Sequence, residues 1–178
     1  MRIEVARESD LPDVLRIERE AFGEDDEADL VRNLLSDPSA LPRLSLLAFR
    51  DEEAVGHVLF TAAHIAEAPG AATVSVLAPL AVVPDAQRRG VGGKLIERGL
   101  QLLSDAGVDL VFVLGHPTYY PRHGFEPAGR LGFAAPFPIL EEDADGWMVQ
   151  GLHPEAIASV QGTVVCADAL NKPEYWLE

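Results

Sequence analysis

The chain has 178 residues, 48% hydrophobic and 24% charged, with 14 Lys and Arg against 29 Asp and Glu for a formal net charge of −15. That is one domain's length with apolar residues enough for a substantial core. The acidity argues against nucleic acid or an anionic membrane as a main partner, since both require a basic footprint. A lone cysteine, Cys166, leaves no internal disulfide framework. The start, Met1–Val5, lacks the apolar core of a signal peptide, and no uncharged apolar run is long enough to span a bilayer. The expectation is a cytoplasmic protein.

Arg2 to Ala6 alternates as a first strand. Ser9 or Asp10 can cap a helix whose early proline, Pro12, has no N–H to leave unpaired, with Leu11, Val14, Leu15, Ile17, Ala21 and Phe22 on its apolar face. The acidic run Glu24-Asp25-Asp26-Glu27 reads as a solvated patch. A short helix over about 27–36 follows, and Asp37-Pro38 ends it. Leu44–Phe49 and Val55–Ile65 predict an antiparallel hairpin around Asp51-Glu52-Glu53.

Val74 to Val83 is a near-continuous apolar run, the pattern of a buried strand. Its Pro79 cannot donate to a ladder and predicts a bulge that leaves backbone groups free for a ligand. A cationic glycine-rich turn, Gln87 to Lys94, comes next, and then a helix over 91–106 with Gly107 as its C-cap glycine. Another buried strand is expected at 109–114, a short helix over 118–123 ended by Gly124-Phe125, a loop-rich stretch to Asp145, a strand at 147–152, and an edge strand around Thr163–Ala167. Trp147 and Trp176 read as packing residues, and Glu141 to Asp145 as solvated.

The turn carries the mechanism. The first N–H groups of a helix have no intrahelical partner and sit at the positive end of its dipole, and Gly90, Gly92 and Gly93 let a ligand approach the backbone. Arg88, Arg89 and Lys94 make this stretch basic in an acidic chain. Together these features predict a phosphate or pyrophosphate site. It is not a P-loop, because Arg88 stands where the first glycine belongs and Leu95 where Ser or Thr would follow. Nor is it the dinucleotide fingerprint, which would require a third glycine where Leu95 stands.

What remains, Gln87-x-x-Gly90-x-Gly92 behind Ala81-Val82-Val83-Pro84, resembles the acetyl-CoA signature of the GNAT superfamily of N-acetyltransferases. One strand later, Tyr120-Pro121-Arg122-His123-Gly124-Phe125 is similar to that family's Tyr-x-x-x-Gly-Phe ending, and the Leu114 to Tyr120 segment resembles the YhbS-like branch. The match runs over roughly residues 1 to 130.

The resemblance implies an α/β protein of the GNAT-type (acyl-CoA N-acyltransferase) fold, with a mixed, mostly antiparallel central sheet flanked by helices. Residues 1–152 would form the N-acetyltransferase domain and 153–178 a C-terminal extension packed on it. It further implies acetyl-CoA as co-substrate, no metal, and transfer of the acetyl group to a primary amine of a small molecule or protein by direct attack in a ternary complex. By the same resemblance, Leu80, Ala81 and Val82 meet the acetyl and pantetheine portions, and Arg88, Arg89, Gly90, Val91, Gly92 and Gly93 hold the pyrophosphate. Tyr120 is the catalytic acid to the leaving thiolate, with Tyr119 in reserve.

The chain departs from many family members in having no acid or histidine on the strand Val74–Val83. The base is then a water relay, His116, His57, His64 or a carboxylate around Glu24. That gap motivates two other readings, an acyl-CoA-binding regulatory module and a transferase using a different acyl-CoA. Cys166 has no activating base nearby in sequence, and no Cys, His, Asp or Glu spacing reads as a metal site. A homodimer through the C-terminal strands is compatible with the chain.

Overall fold

Hydrophobic periodicity becomes three helices and nine strands among the described residues, which are 1–177 in the computed structural model. Glu178, the last residue of the expected extension, lies outside them. β1 (Arg2–Val5), β2 (Leu44–Arg50), β3 (Glu53–Ile65) and β4 (Val74–Val82) form an antiparallel meander. β5 (Leu110–Leu114) adds parallel to β4, and β8 (Trp147–Gly151) and β6 (Glu126–Pro127) extend the sheet in the order β1-β2-β3-β4-β5-β8-β6. β9 (Gly162–Val165) pairs with the far end of β3, and β7 (Phe133–Ala134) pairs with β9. Only β4/β5 and β7/β9 are parallel among these pairings, as expected of a mixed, mostly antiparallel sheet.

Successive side chains of a strand point to opposite faces, and β3 shows what each face holds. Gly56 and Phe60 face α3 (Val91–Asp105): a Cβ on Gly56 would meet Val91 and Leu95, and the Phe60 ring lies against Gly99. His57, one residue on, faces α1 (Leu11–Phe22), where its Nδ1 lies 2.7 Å from Glu18 Oε2. α2 (Asp26–Leu35) packs beside α1. Two local expectations change. Neither Ser9 nor Asp10 caps α1 through its side chain; the Asp10 carboxylate instead accepts from the Arg7 N–H at 2.8 Å. Phe22, expected inward, is 44% exposed.

The bulge expected at Pro79 is present. Val58 opposes Leu80 while Phe60 opposes Leu77, so β4 carries one more residue than β3 across that step. The β4/β5 ladder covers Val74–Val76 and Leu110–Phe112 and then stops. Beyond it the two strands part, and the edge of β4 that faced β5 is open. This opening positions everything that follows.

Candidate active site

Two cavities flank the parted strands. The first, about 610 Å³, is lined by Leu80, Val82, Ala86, Gln87, Arg88, Gly90, Val91, Gly92, Gly93, Tyr119, Arg122 and His123. Its wall is the start of α3. Lys94 makes the first helical bond, to the Gly90 carbonyl at 3.1 Å, so the N–H groups of Val91, Gly92 and Gly93 precede the intrahelical ladder and are free for an anion. Gly90, at φ +82°, turns the chain into the helix in a conformation glycine adopts at no steric cost. Arg88 also has positive φ, +63°, without being glycine, a backbone strain of a kind that clusters at ligand clamps. The Gln87 side chain donates to the Val82 carbonyl at 2.9 Å and ties the turn to the end of β4.

The Tyr120–His123 turn closes this groove from the other side. The Tyr119 hydroxyl lies over Gly92 and the His123 ring over Gly93, both where a Cβ would stand. The Arg122 guanidinium sits 5.1 Å from the centre of the Tyr119 ring, within cation–π range. Arg88, Arg122 and His123 line the groove and no carboxylate does.

The second cavity, about 660 Å³, lies across Leu80 and Tyr119, which line both. Its inner wall is the parted strands, Leu77–Leu80 and Val113–Gly115, with Tyr120 and His116. Its outer wall carries Phe22, Glu24, Asp26, Glu27, Asp29 and Leu30 from the α1–α2 region, and Leu170, Glu174 and Tyr175 from the C-terminal segment. Hydrogen bonds hold that segment: Asp37 accepts from the Ala169 N–H at 2.9 Å, and the Asp168 N–H donates to the Ser39 hydroxyl at 2.8 Å.

Of the residues implicated from sequence, Leu80, Val82, Arg88, Gly90, Val91, Gly92 and Gly93 come together on the groove. Ala81 is 2% exposed and packs in the core, and Arg89 is exposed beyond the lining. Tyr120 is buried on the second cavity, its ring against Gly115 and edge-on to Tyr119 and Phe125. Burial, with the neighbouring Tyr119 adding to it, pushes its phenol well above the ordinary value of 10.0. Arg122, His123, Gln87 and Ala86 were missed, although Arg122 and His123 lie inside the Tyr-x-x-x-Gly-Phe match.

The base candidates separate. His57 is fully buried between Glu18 and Ser45, its Nε2 2.9 Å from the serine hydroxyl, and lines neither cavity. It is a core residue rather than a polar-face one. His64 is exposed on β3, opposite Val165 of β9, and also lines neither. His116 lines the second cavity, but its Nδ1 accepts the Thr118 N–H at 3.3 Å and lies 2.8 Å from the Thr118 hydroxyl. The ring nitrogen that would take a proton is thus already engaged.

The acidic run is largely solvated as expected, with Glu24, Asp25 and Asp26 exposed and Glu27 half-buried, and Glu24, Asp26 and Glu27 also line the second cavity. Glu27 Oε1 has no solvent access and no hydrogen-bond partner among the described residues. Desolvation raises the Glu27 pKa above 4.5, its own backbone N–H opposes this, and Glu24, Asp26 and Glu18 add to the rise. Cys166 is 5% exposed and away from both cavities, and burial pushes its thiol up to about 12. No group of three or more His, Cys, Asp or Glu among the described residues could hold a metal ion. No helix among them is long and apolar enough to cross a membrane.

A parted β4/β5 pair, a helix start with free N–H groups and a bulged strand between two cavities define an acyl-CoA-dependent transferase fold. The family model for the acetyltransferase (GNAT) domain matches residues 2–128. The chain belongs to the GNAT acetyltransferase family and is an acyltransferase. It is 49% identical over 165 residues to the N-acetyltransferase YjhQ of Escherichia coli K12, itself uncharacterized, covering 92% of this chain and 91% of that one. It is 31% identical over 173 residues to the uncharacterized N-acetyltransferase YhbS of the same strain, covering 97% and 99%. Among solved structures, Escherichia coli YhbS in complex with CoA matches at a TM-score of 0.86 and 29% identity over 96% of this chain and 92% of that one. A Brucella melitensis GNAT acetyltransferase in complex with acetyl-CoA matches at 0.75 and 28% identity over 95% and 97%.

Proposed function

We propose that the protein transfers the acetyl group of acetyl-CoA to a primary amine by direct attack in a ternary complex. The observation that carries this reading is that the cationic groove and the second cavity share Leu80 and Tyr119 as a common wall. CoA laid along the first brings its thioester to the bulge of β4, and an amine in the second reaches the same point. Such proximity is worth several kcal/mol of barrier, roughly 7–11 in well-oriented intramolecular reactions.

In the groove, the pyrophosphate meets the N–H groups of Val91, Gly92 and Gly93 with Arg88 and Arg122 beside it. At the junction the amine nitrogen attacks the carbonyl carbon, and backbone N–H groups on the open edge of β4 stabilise the oxyanion. The C–S bond breaks as the C–N bond forms. Tyr120 faces the leaving sulfur. Ordinary phenol and thiol pKa values are about 10 and 8.5, and burial raises the Tyr120 phenol further, so complete proton transfer from Tyr120 to an ordinary thiolate is uphill. Its contribution is a hydrogen bond to the developing thiolate, and the proton comes ultimately from the attacking nitrogen.

Glu27 takes that proton from the nitrogen and gives it up through solvent to the thiolate, so that CoA leaves as the free thiol and the carboxylate is restored. It lines the acceptor cavity; its Oε1 is shut off from solvent without a partner among the described residues, so Oε2 is the oxygen we assign to the amine, and the raised pKa makes the carboxylate a better base than an ordinary one. This supplies from α2 the base that β4 lacks, and it removes the motive for reading the protein as a binding module. An acyl-enzyme on Cys166 has no route, since that thiol lines neither cavity. We assign residues 153–178 to the acetyltransferase domain, with Leu170, Glu174 and Tyr175 supplying the far wall of the acceptor site.

The test is acetyl-CoA-dependent release of free thiol with a panel of primary amines, in the parent protein and in Tyr120→Phe. Turnover that falls in Tyr120→Phe while the CoA dissociation constant stays put supports the assignment. Turnover unchanged by Tyr120→Phe removes that residue from the mechanism, and the absence of thiol release with every amine refutes the transferase reading.

A further inference from the structure

The second cavity is not symmetrical in its chemistry. Its inner wall, at Leu77, Leu80, Val113 and Leu114, is apolar. Its outer wall carries five carboxylates, from Glu24, Asp26, Glu27, Asp29 and Glu174, and its lining contains no lysine or arginine. These acids come from two chain segments, α2 with its leading loop and the C-terminal segment, which meet only in the fold. None of the five forms an ion pair among the described residues, although Asp25 in the same run is taken by Arg19 at 3.0 Å. They also converge: Glu174, then Asp26, Asp29 and Glu27, all push the Tyr175 phenol pKa upward, in addition to its burial.

We infer that the acceptor is a small linear diamine or triamine, held with its far ammonium among Asp26, Asp29 and Glu174 and its near amine at the apolar junction, between Tyr120 and the base Glu27. This rests on the transferase reading above. An acetyl acceptor must be neutral at the attacking nitrogen, yet a uniformly acidic pocket would hold that nitrogen protonated. A polarity gradient removes the conflict, because burial disfavours the charged form of an amine while nearby carboxylates favour it. Two nitrogens separated by methylenes match the two ends, and the apolar wall matches the methylenes. A monoamine uses only one end. The volume, about 660 Å³, falls in the range of small-molecule sites.

The experiment compares 1,4-diaminobutane and spermidine with 1-aminobutane and a lysine-containing peptide as acceptors, at low and high salt, in the parent protein and in Asp29→Asn/Glu174→Gln. The diamines should exceed the monoamine in kcat/KM by at least roughly tenfold. Salt should shrink that advantage because exposed charges are screened. The double variant should lose most of it through KM, with the CoA dissociation constant unchanged. Calorimetric titration of 1,4-diaminobutane into the CoA-loaded protein supplies a readout independent of turnover. Binding that depends on Asp29 and Glu174 but with no acetyl transfer would refute the transferase reading and leave the diamine a ligand of this cavity rather than an acceptor. A monoamine or peptide used as well as the diamines, or a diamine preference that survives the double variant, overturns the inference.

Discussion

The groove and the cavity beside it are opposite in charge. One is lined by Arg88, Arg122 and His123 without a carboxylate, the other by five carboxylates without a lysine or arginine. Leu80 and Tyr119 line both. The lesson is that the net charge of −15 says little about what this protein binds. Sorting by cavity says more: under the proposed function an anionic co-substrate belongs on one side, a cationic acceptor on the other, and the chemistry at the wall between. Opposed fields of this kind steer each ligand to its own half and reject it from the other.

The comparison can be broken most severely at Glu27. Glu27→Gln should lower kcat by roughly a hundredfold or more, the range of a lost general base, and leave CoA affinity alone. Steady-state kinetics beside a CoA titration checks both. The pH profile sharpens the same point. Because the Glu27 carboxyl is raised above 4.5, kcat/KM in the parent should fall as pH drops through that elevated value, and this acid limb should vanish in Glu27→Gln. A limb that persists in the variant assigns the base to another group.

Next in size is a control on the scaffold. His57→Ala leaves the fully buried Glu18 carboxyl, whose pKa burial already raises, without its only partner among the described residues, and breaking such a buried pair costs roughly 3–5 kcal/mol. Denaturant unfolding should show this loss, while the protein that remains folded keeps its CoA affinity. A large fall in that affinity would mean the dyad belongs to the site rather than the core.

On the cationic side, Arg88→Ala and Arg122→Ala should each weaken CoA by roughly tenfold, typical of a charge-assisted bond lost from a partly exposed site. The KM for the amine should not follow. Gly92→Ala acts on the same half by displacing the Tyr119 hydroxyl that lies over it.

The smallest effect is expected at Asp37, which holds the C-terminal wall. Burial alone would raise its pKa, but the Ala169 and Ser39 hydrogen bonds outweigh burial and lower it below 3.8. The tether is therefore fully present above that value and lost only as pH falls through the lowered one. At neutral pH, Asp37→Ala should loosen Leu170, Glu174 and Tyr175 and raise the amine KM by roughly two- to fivefold. Equal amine kinetics in parent and variant would show that the wall is held by other means.

Local features of this fold were legible in the chain and assembled ones were not. The β4–turn–α3 unit could be read because its signals, an apolar run, Pro79, closely spaced glycines and a helical stripe, all lie within about thirty residues of one another. Pro79 predicted the bulge for a local reason, its missing N–H. Asp10 misled because a side chain able to cap α1 found the Arg7 N–H instead, a choice no pattern encodes. Arg122 and His123 became groove residues only when the Tyr120–His123 turn packed on Gly92 and Gly93, nearly thirty positions earlier. The acceptor cavity was the least visible, since it joins residues 22–30, 77–80, 113–120 and 170–175. Its acids read as a solvated run, and only the fold buries one oxygen of Glu27 and brings Glu174 to the same wall.

The division between the two halves is tested most directly by a crystal structure of the protein with CoA and 1,4-diaminobutane together. The account predicts pyrophosphate density against Arg88–Gly93, the CoA sulfur at the Leu80 bulge facing Tyr120, and the diamine beyond it with its far nitrogen among Asp26, Asp29 and Glu174. CoA entering from the acidic side, or a sulfur far from the wall that Leu80 and Tyr119 share, would contradict it.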